Sequence, residues 1–299
     1  MPNALINNLK YSPYENQDLT LNNWMSNTPA LDHLTLAELT LPGAHNAGVD
    51  KKASYVAPGV SHWAACQNNS FYFQLTKGAR ALDLRLEYEV KSNGVSVFWF
   101  QHNGFRSSRS LENVITSVIR FLQENPDEFI LLDFHELKSD SIPFNFKEFS
   151  RLLLTHLGDR MIPSGNAHLT LGQLKQVSDA QRVLVATNSH PDLDWRWFCR
   201  QIEHKWSGIA TTSVSELDAH ITQVMKYPPG GSPWSLSATS YHAVGGPVNI
   251  AEYLDQWFDP AVNDWVLKSS IINIDFLEAS KLVHHCRNAN TIKANAKRR

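Results

Sequence analysis

Residues 79–88 (ARALDLRLEY) alternate, with Leu82, Leu84 and Leu86 on one side and Asp83, Arg85 and Glu87 on the other, the period of a β-strand. In a closed barrel one such face meets helices. The other looks into the interior, where acidic and basic groups must pair or bind something. Residues 129–134 (FILLDF) form a nearly unbroken apolar run, the signature of a strand buried on both faces of a parallel sheet. Further strands are expected at 39–41, 96–101, 182–186, 234–240 and 270–276. Between them, Leu111, Val114, Ile115, Val118 and Leu122 make a helical stripe that Ser110 caps and Pro126 ends. Helices are also expected at 144–157, 215–226 and 248–258, with a last one running into the basic tail KANAKRR. Residues 61–78, rich in aromatics and amides, fit a helix poorly at their centre. Alternation of strand and helix over this length predicts an α/β fold, either a parallel barrel or a doubly wound sheet.

With 299 residues, 42% hydrophobic and 19% charged, the chain has material for one large core. Its formal charge of −2 gives no electrostatic reason to expect nucleic acid as a partner. Cys66, Cys199 and Cys286 are too few and too widely spaced for a disulfide framework or a zinc motif, and fit a reducing compartment. The N-terminal stretch lacks the pattern of a secretory signal, and no window reaches the apolar length of a membrane span. The expectation is a protein that is cytoplasmic, or exported without a recognisable signal, and peripheral at membranes.

The polar residues suited to chemistry fall at or just past strand ends: His45 in LPGAHNAG, Asp83 with Arg85, His102 in QHNG, and Asp275. A lone loop histidine is ordinarily no more than part of a turn. In a parallel barrel, however, the strand ends share one rim, and residues distant in sequence converge there. Two imidazoles, a guanidinium and two carboxylates are a sufficient set for cleaving a phosphodiester. One imidazole takes the proton of the attacking hydroxyl and the other gives one to the leaving oxygen. The guanidinium grips the phosphate oxygens, and a carboxylate behind the base fixes its tautomer.

These stretches, LPGAHNAG, WAACQNNSFYFQLTKGARALDLRLEY, QHNG and ENPDEFILLDFHE in that order, resemble the X region of phosphatidylinositol-specific phospholipases C, above all the bacterial-type and X-domain-only members. The resemblance is specific over residues 39–136. It implies a distorted TIM-type (β/α)8 barrel; residues 1–35, polar with scattered Asn, Ser and Pro, read as an arm packed on a barrel domain of residues 36–299. It also implies attack by the inositol 2-hydroxyl to give diacylglycerol and a cyclic inositol phosphate, with a phospholipid at a membrane surface as the partner. By the same resemblance His45 is the general base, His102 the general acid and Arg85 the phosphate ligand, with Asp83 and Asp275 in support. Asn46, His135 and Asn188 fall at substrate-binding positions.

Asn46 stands where metal-independent members carry aspartate, whereas calcium-dependent ones have an acidic residue where this chain has Arg85. A guanidinium in the pocket disfavours a second cation, so no metal or other cofactor is expected. Two other readings stay open: a metal-assisted phosphodiesterase acting on another glycerophospho- or sphingolipid, and a weakly catalytic protein that binds lipid headgroups. His284, His285 and Cys286 diverge around a helix and are not expected to share an ion. The tryptophans are expected mostly in the core, although Trp195, Trp197 and Trp234 lie in less regular stretches that could reach a bilayer.

Overall fold

The computed structural model describes residues 20–56, 59–140, 142–208 and 211–298. Its strands are β1 (Leu41–Ala44), β2 (Ala81–Val90), β3 (Ser96–His102), β4 (Phe105–Ser110), β5 (Ile130–Lys138), β6 (Val183–Thr187), β7 (Phe198–Arg200), β8 (Glu203–Lys205), β9 (Trp234–Ser237), β10 (Ser240–His242), β11 (Gly246–Val248) and β12 (Ile271–Ile274). Eight of them run parallel in the order β7-β6-β5-β2-β1-β12-β9-β8, while β3 and β4 extend β2 as antiparallel strands. The fold is a distorted TIM-type barrel.

The distortion has a definite origin. Strands β7 and β8 end the sheet on opposite sides and are not bonded to each other, yet only Gln201 and Ile202 separate them in the chain. Phe198–Arg200 pairs with β6, and Glu203–Lys205 pairs with β9. One bent segment thus closes the ring, bonding to one neighbour with its first half and to the other with its second. No crossover helix fits in a two-residue link. A cavity of about 780 Å³ opens at this bend, lined from Leu184 on one side to Trp234 on the other.

The alternation in β2 sorts the interior as its sequence predicts. Leu82, Leu84 and Leu86 join the layer under the helices Phe71–Thr76 and Leu111–Glu124, together with Leu132 and Phe134 of β5. Leu41, Ala81, Leu131, Leu184 and Ile271 face the other way at the strand beginnings, where Trp24, Leu31, Leu34 and Leu36 of the N-terminal segment plug the barrel floor. Trp24 is fully buried and donates from Nε1 to the Gly78 carbonyl at 3.0 Å. From Thr20 onward this segment packs against the strand beginnings. Residues 1–19 lie outside the described residues.

The helices are α1 (Ser61–Ala64), α2 (Phe71–Thr76), α3 (Leu111–Glu124), α4 (Phe146–Leu157), α5 (Leu171–Val177), α6 (Val214–Lys226), α7 (Ala251–Trp257), α8 (Trp265–Lys268) and α9 (Leu282–Lys297). The poor helical fit of residues 61–78 corresponds to the break between α1 and α2. The stripe read over 111–122 is buried along α3, with Leu111, Val114, Ile115, Val118 and Leu122 all against the core.

Three expectations need correcting. The strand expected at 39–41 instead runs Leu41–Ala44, with Pro42 and Gly43 at its middle in register with Ile272 and Asn273. Proline is tolerated because pairing with β2 begins only at Gly43–Ala81, so no partner waits for a Pro42 N–H, while its carbonyl accepts from Arg80 N. Gly43 is needed for space, since a Cβ there would stand 2.1 Å from Asn273 Oδ1. Second, residues 96–102 are not a parallel barrel strand but run back along β2. Third, α7 starts at Ala251, because Gly246–Val248 pairs in a hairpin with Ser240–His242.

Candidate active site

Each of the three non-glycine residues with positive φ among those described follows a predicted site group. Asn46 (44°) follows His45, Asn103 (51°) follows His102, and Phe276 (51°) follows Asp275. A left-handed step turns the chain sharply and leaves the preceding side chain at the rim. Asparagine takes that conformation readily, whereas a phenylalanine there stores strain. Phe276 is held by its N–H, which donates to the Cys66 carbonyl at 2.9 Å.

The side chains converge accordingly. His45 Nδ1–H donates to Asp275 Oδ1 at 2.8 Å, and Arg85 Nη2 donates to His45 Nε2 at 3.0 Å. Arg85 also clasps Asp83, from Nη2 to Oδ2 at 2.8 Å and from Nε to Oδ1 at 3.3 Å. The Asn46 backbone N–H donates to Asp83 Oδ2 at 3.1 Å. Opposite them His102 stands edge-on to His45, their ring centroids 6.0 Å apart at 87°. Its Nδ1–H donates to the Ala64 carbonyl at 3.0 Å, which leaves Nε2 free for chemistry. His102 reaches this place on β3, which returns toward the rim after β2 has overshot it, and not as the end of a parallel strand.

Charge in the site is strongly set. Burial pushes the Asp83 carboxyl up, but the adjacent Arg85 guanidinium, with His45 and His204, outweighs it and holds the group far below the usual carboxylate range. Burial lowers Arg85 in turn, and Asp83 overcomes that to leave it firmly cationic. Burial, reinforced by His45 and Arg85, pushes His102 down to about 3. At rest His102 is therefore neutral.

The predicted substrate residues are placed differently. The Asn46 side chain is wholly enclosed and neither of its polar atoms has a partner, so its backbone is what meets the site. His135 sits where the β2–β5 register slips: Leu84 opposes Phe134 and Arg85 opposes Glu136, and His135 is the extra residue of a bulge. Burial pushes its imidazole down to about 4. Asn188 follows the last residue of β6, its Oδ1 buried and without a partner.

Sequence reasoning missed two groups. Gln67 donates from Nε2 to the carbonyls of His45 and Ile274, and accepts from Leu277 N, tying the loops after β1 and β12 together. The only signal for it was the amide-rich stretch around it. His204 on β8 bonds Asp133 of β5 at 2.7 Å and stacks on His135, with ring centroids 3.5 Å apart at 14°. Its three-residue strand, EHK, carries no pattern to announce it. Trp234, considered for a bilayer, is buried, and Trp197 packs on the core. Trp195 is exposed at the barrel's opposite end, where its carbonyl accepts from Ser164 Oγ. His284, His285 and Cys286 form no cluster of metal-binding geometry among the described residues.

No family model matches the chain. Among curated proteins, PI-PLC X domain-containing protein 1 of Danio rerio is 25% identical over 162 residues, 47% of this chain and 52% of that protein. The chain thus spans about half the length of that relative. A 1-phosphatidylinositol phosphodiesterase of Listeria monocytogenes is 27% identical over 129 residues, 43% of this chain and 37% of that protein. Among solved structures, a phosphatidylinositol-specific phospholipase C from Staphylococcus aureus superposes with a TM-score of 0.66 at 14% identity, covering 90% of this chain and 98% of that one. The chain accordingly resembles the phosphatidylinositol-specific phospholipase C X-domain proteins in sequence and shares the barrel of the bacterial enzymes.

Proposed function

We propose that the chain is a phosphodiesterase that cleaves phosphatidylinositol-type phospholipids by general acid and base catalysis from two histidines. The observation that carries the reading is the pair of imidazoles 6.0 Å apart, with Arg85 bonded to one of them and Asp275 behind it. The phosphate draws the Arg85 guanidinium to its oxygens, which frees His45 Nε2. That nitrogen removes the proton of the inositol 2-hydroxyl as its oxygen bonds to phosphorus, and Asp275 stabilises the imidazolium that forms. The bond from phosphorus to the glycerol oxygen breaks, and His102 Nε2 supplies the proton that oxygen takes up. His102 acquires its proton when the anionic phosphate offsets the positive charge of Arg85 and His45.

His135 and Asn188 face the headgroup in this reading, and Asn46 serves through its backbone. A guanidinium at the centre of the site weighs against a catalytic calcium ion. Membrane contact falls to the segments beyond the ends of the parallel strands that bear Trp63, Val95, Phe105, Trp206 and Val244, all exposed. No described helix is long and apolar enough to cross a membrane. Turnover of phosphatidylinositol vesicles in the presence of EDTA tests the proposal. A cyclic inositol phosphate that disappears in His45→Ala is the expected product; folded protein that produces none would overturn the reading.

A further inference from the structure

Asp133, His135 and His204 occupy the interior beside the reaction centre, and the mechanism above gives Asp133 and His204 no task. Asp133 stands in register with Asp83 across β2 and β5. Asp83 is clasped by Arg85 through both carboxylate oxygens, whereas Asp133 is 2% exposed and bonded through Oδ2 alone. Its Oδ1 is buried without a partner, and so is His135 Nδ1. Orphaned lone pairs on two neighbouring buried groups are costly and call for a common partner. One donor atom from each of the three residues lies within 4.8 Å of the other two, close enough for one ion to reach all three.

We propose that Asp133, His135 and His204 form a binding site for a divalent transition-metal ion of the zinc class. Two imidazoles and a carboxylate are a borderline donor set, suited to zinc and its neighbours over calcium or magnesium, which take oxygen. Three protein ligands leave a fourth position of a tetrahedral ion open. Imidazole lone pairs lie in the ring plane, so coordination splays His135 and His204 out of their 14° stack. The bulge at His135 and the two-residue link before β8 are the places where the backbone yields to that movement. A second group, His45, Cys66 and Asp275, also has donors within 4.8 Å of one another. There the Arg85 guanidinium lies in direct contact with a would-be ligand, 3.0 Å from His45, and repels a dication.

The test is titration of full-length, EDTA-treated protein with cobalt(II) chloride, followed by visible absorption, with zinc chloride as competitor. Saturation at one equivalent, with visible bands that zinc abolishes, is expected. Affinity should fall about 100-fold or more in His204→Ala and in His135→Ala, and persist in Cys66→Ser without any sulfur-to-cobalt charge-transfer band. Circular dichroism identifies which variants fold, and His135 on its bulge provides the variant should His204→Ala fail. Absence of saturable binding, binding that survives loss of either histidine, or binding lost in Cys66→Ser would each overturn the assignment.

Discussion

Asp275 Oδ1 and His45 Nδ1 meet at 2.8 Å from opposite ends of the chain, 230 residues apart in sequence. They meet because β1 and β12 are parallel neighbours in register, Ala44 against Ile274, so that the next residue of each emerges at the same height. The carboxylate fixes the proton on Nδ1 and leaves the Nε2 lone pair available, as the proposed base requires. In Asp275→Asn the amide can present its NH2 to Nδ1 and favour the opposite tautomer. Turnover of phosphatidylinositol should fall about 100- to 10,000-fold, with little change in the thermal midpoint.

Arg85 reaches Asp83 with two nitrogens and His45 with one of the same two. A lysine carries the charge but cannot hold both partners in one plane. Arg85→Lys should lower kcat by about 100- to 1,000-fold, the size expected when a donor to developing phosphate charge is misplaced. Steady-state kinetics with kcat and KM separated will check it, and a change confined to KM would contradict the role.

Stability should fall on acidification through His102. Its folded value of about 3 lies below the ordinary 6.5, so between those values the unfolded chain takes a proton that the folded one refuses. Its contribution is present in full above about 6.5 and is lost as pH falls toward 3. Urea unfolding at pH 7, 5.5 and 4.5 should give a declining free energy, and His102→Gln should flatten that decline.

Much of this arrangement was legible in the chain. The alternation of Leu82, Asp83, Leu84 and Arg85 announced both barrel faces, and the apolar run of β5 and the stripe of α3 were unambiguous. Strands β7, β8, β10 and β11 were not legible. Each has three residues, too few for a period to appear, and each is defined by its neighbours more than by itself. His204 was lost with β8. Asn46 was legible as a residue but not as a conformation, because its left-handed turn is imposed by the packing of β1 and the loop that follows.

Buried Arg80 ties the N-terminal segment to the barrel. It bonds Glu128 from Nε at 2.7 Å, and its Nη2 donates to the carbonyls of Leu21 and Asn22, while Glu128 accepts from the backbone of Met25 and Ser26. Both side chains are fully enclosed. Arg80→Ala would strand the Glu128 charge and should cost about 3–5 kcal/mol of stability. Limited proteolysis should then cut first around residues 21–28.

The bend at Gln201 and Ile202 makes the far wall of the barrel sensitive to counting. Side chains along an extended chain alternate inside and outside, so one residue inserted between Arg200 and Glu203 would exchange the two faces of β8 without touching its pairing partner. His204 would swing outward, Glu203 or Lys205 would enter beside Asp133, and the closure would survive while its inner lining reversed. Phase, as much as composition, decides what that wall presents to the interior, and a two-residue spacer sets it.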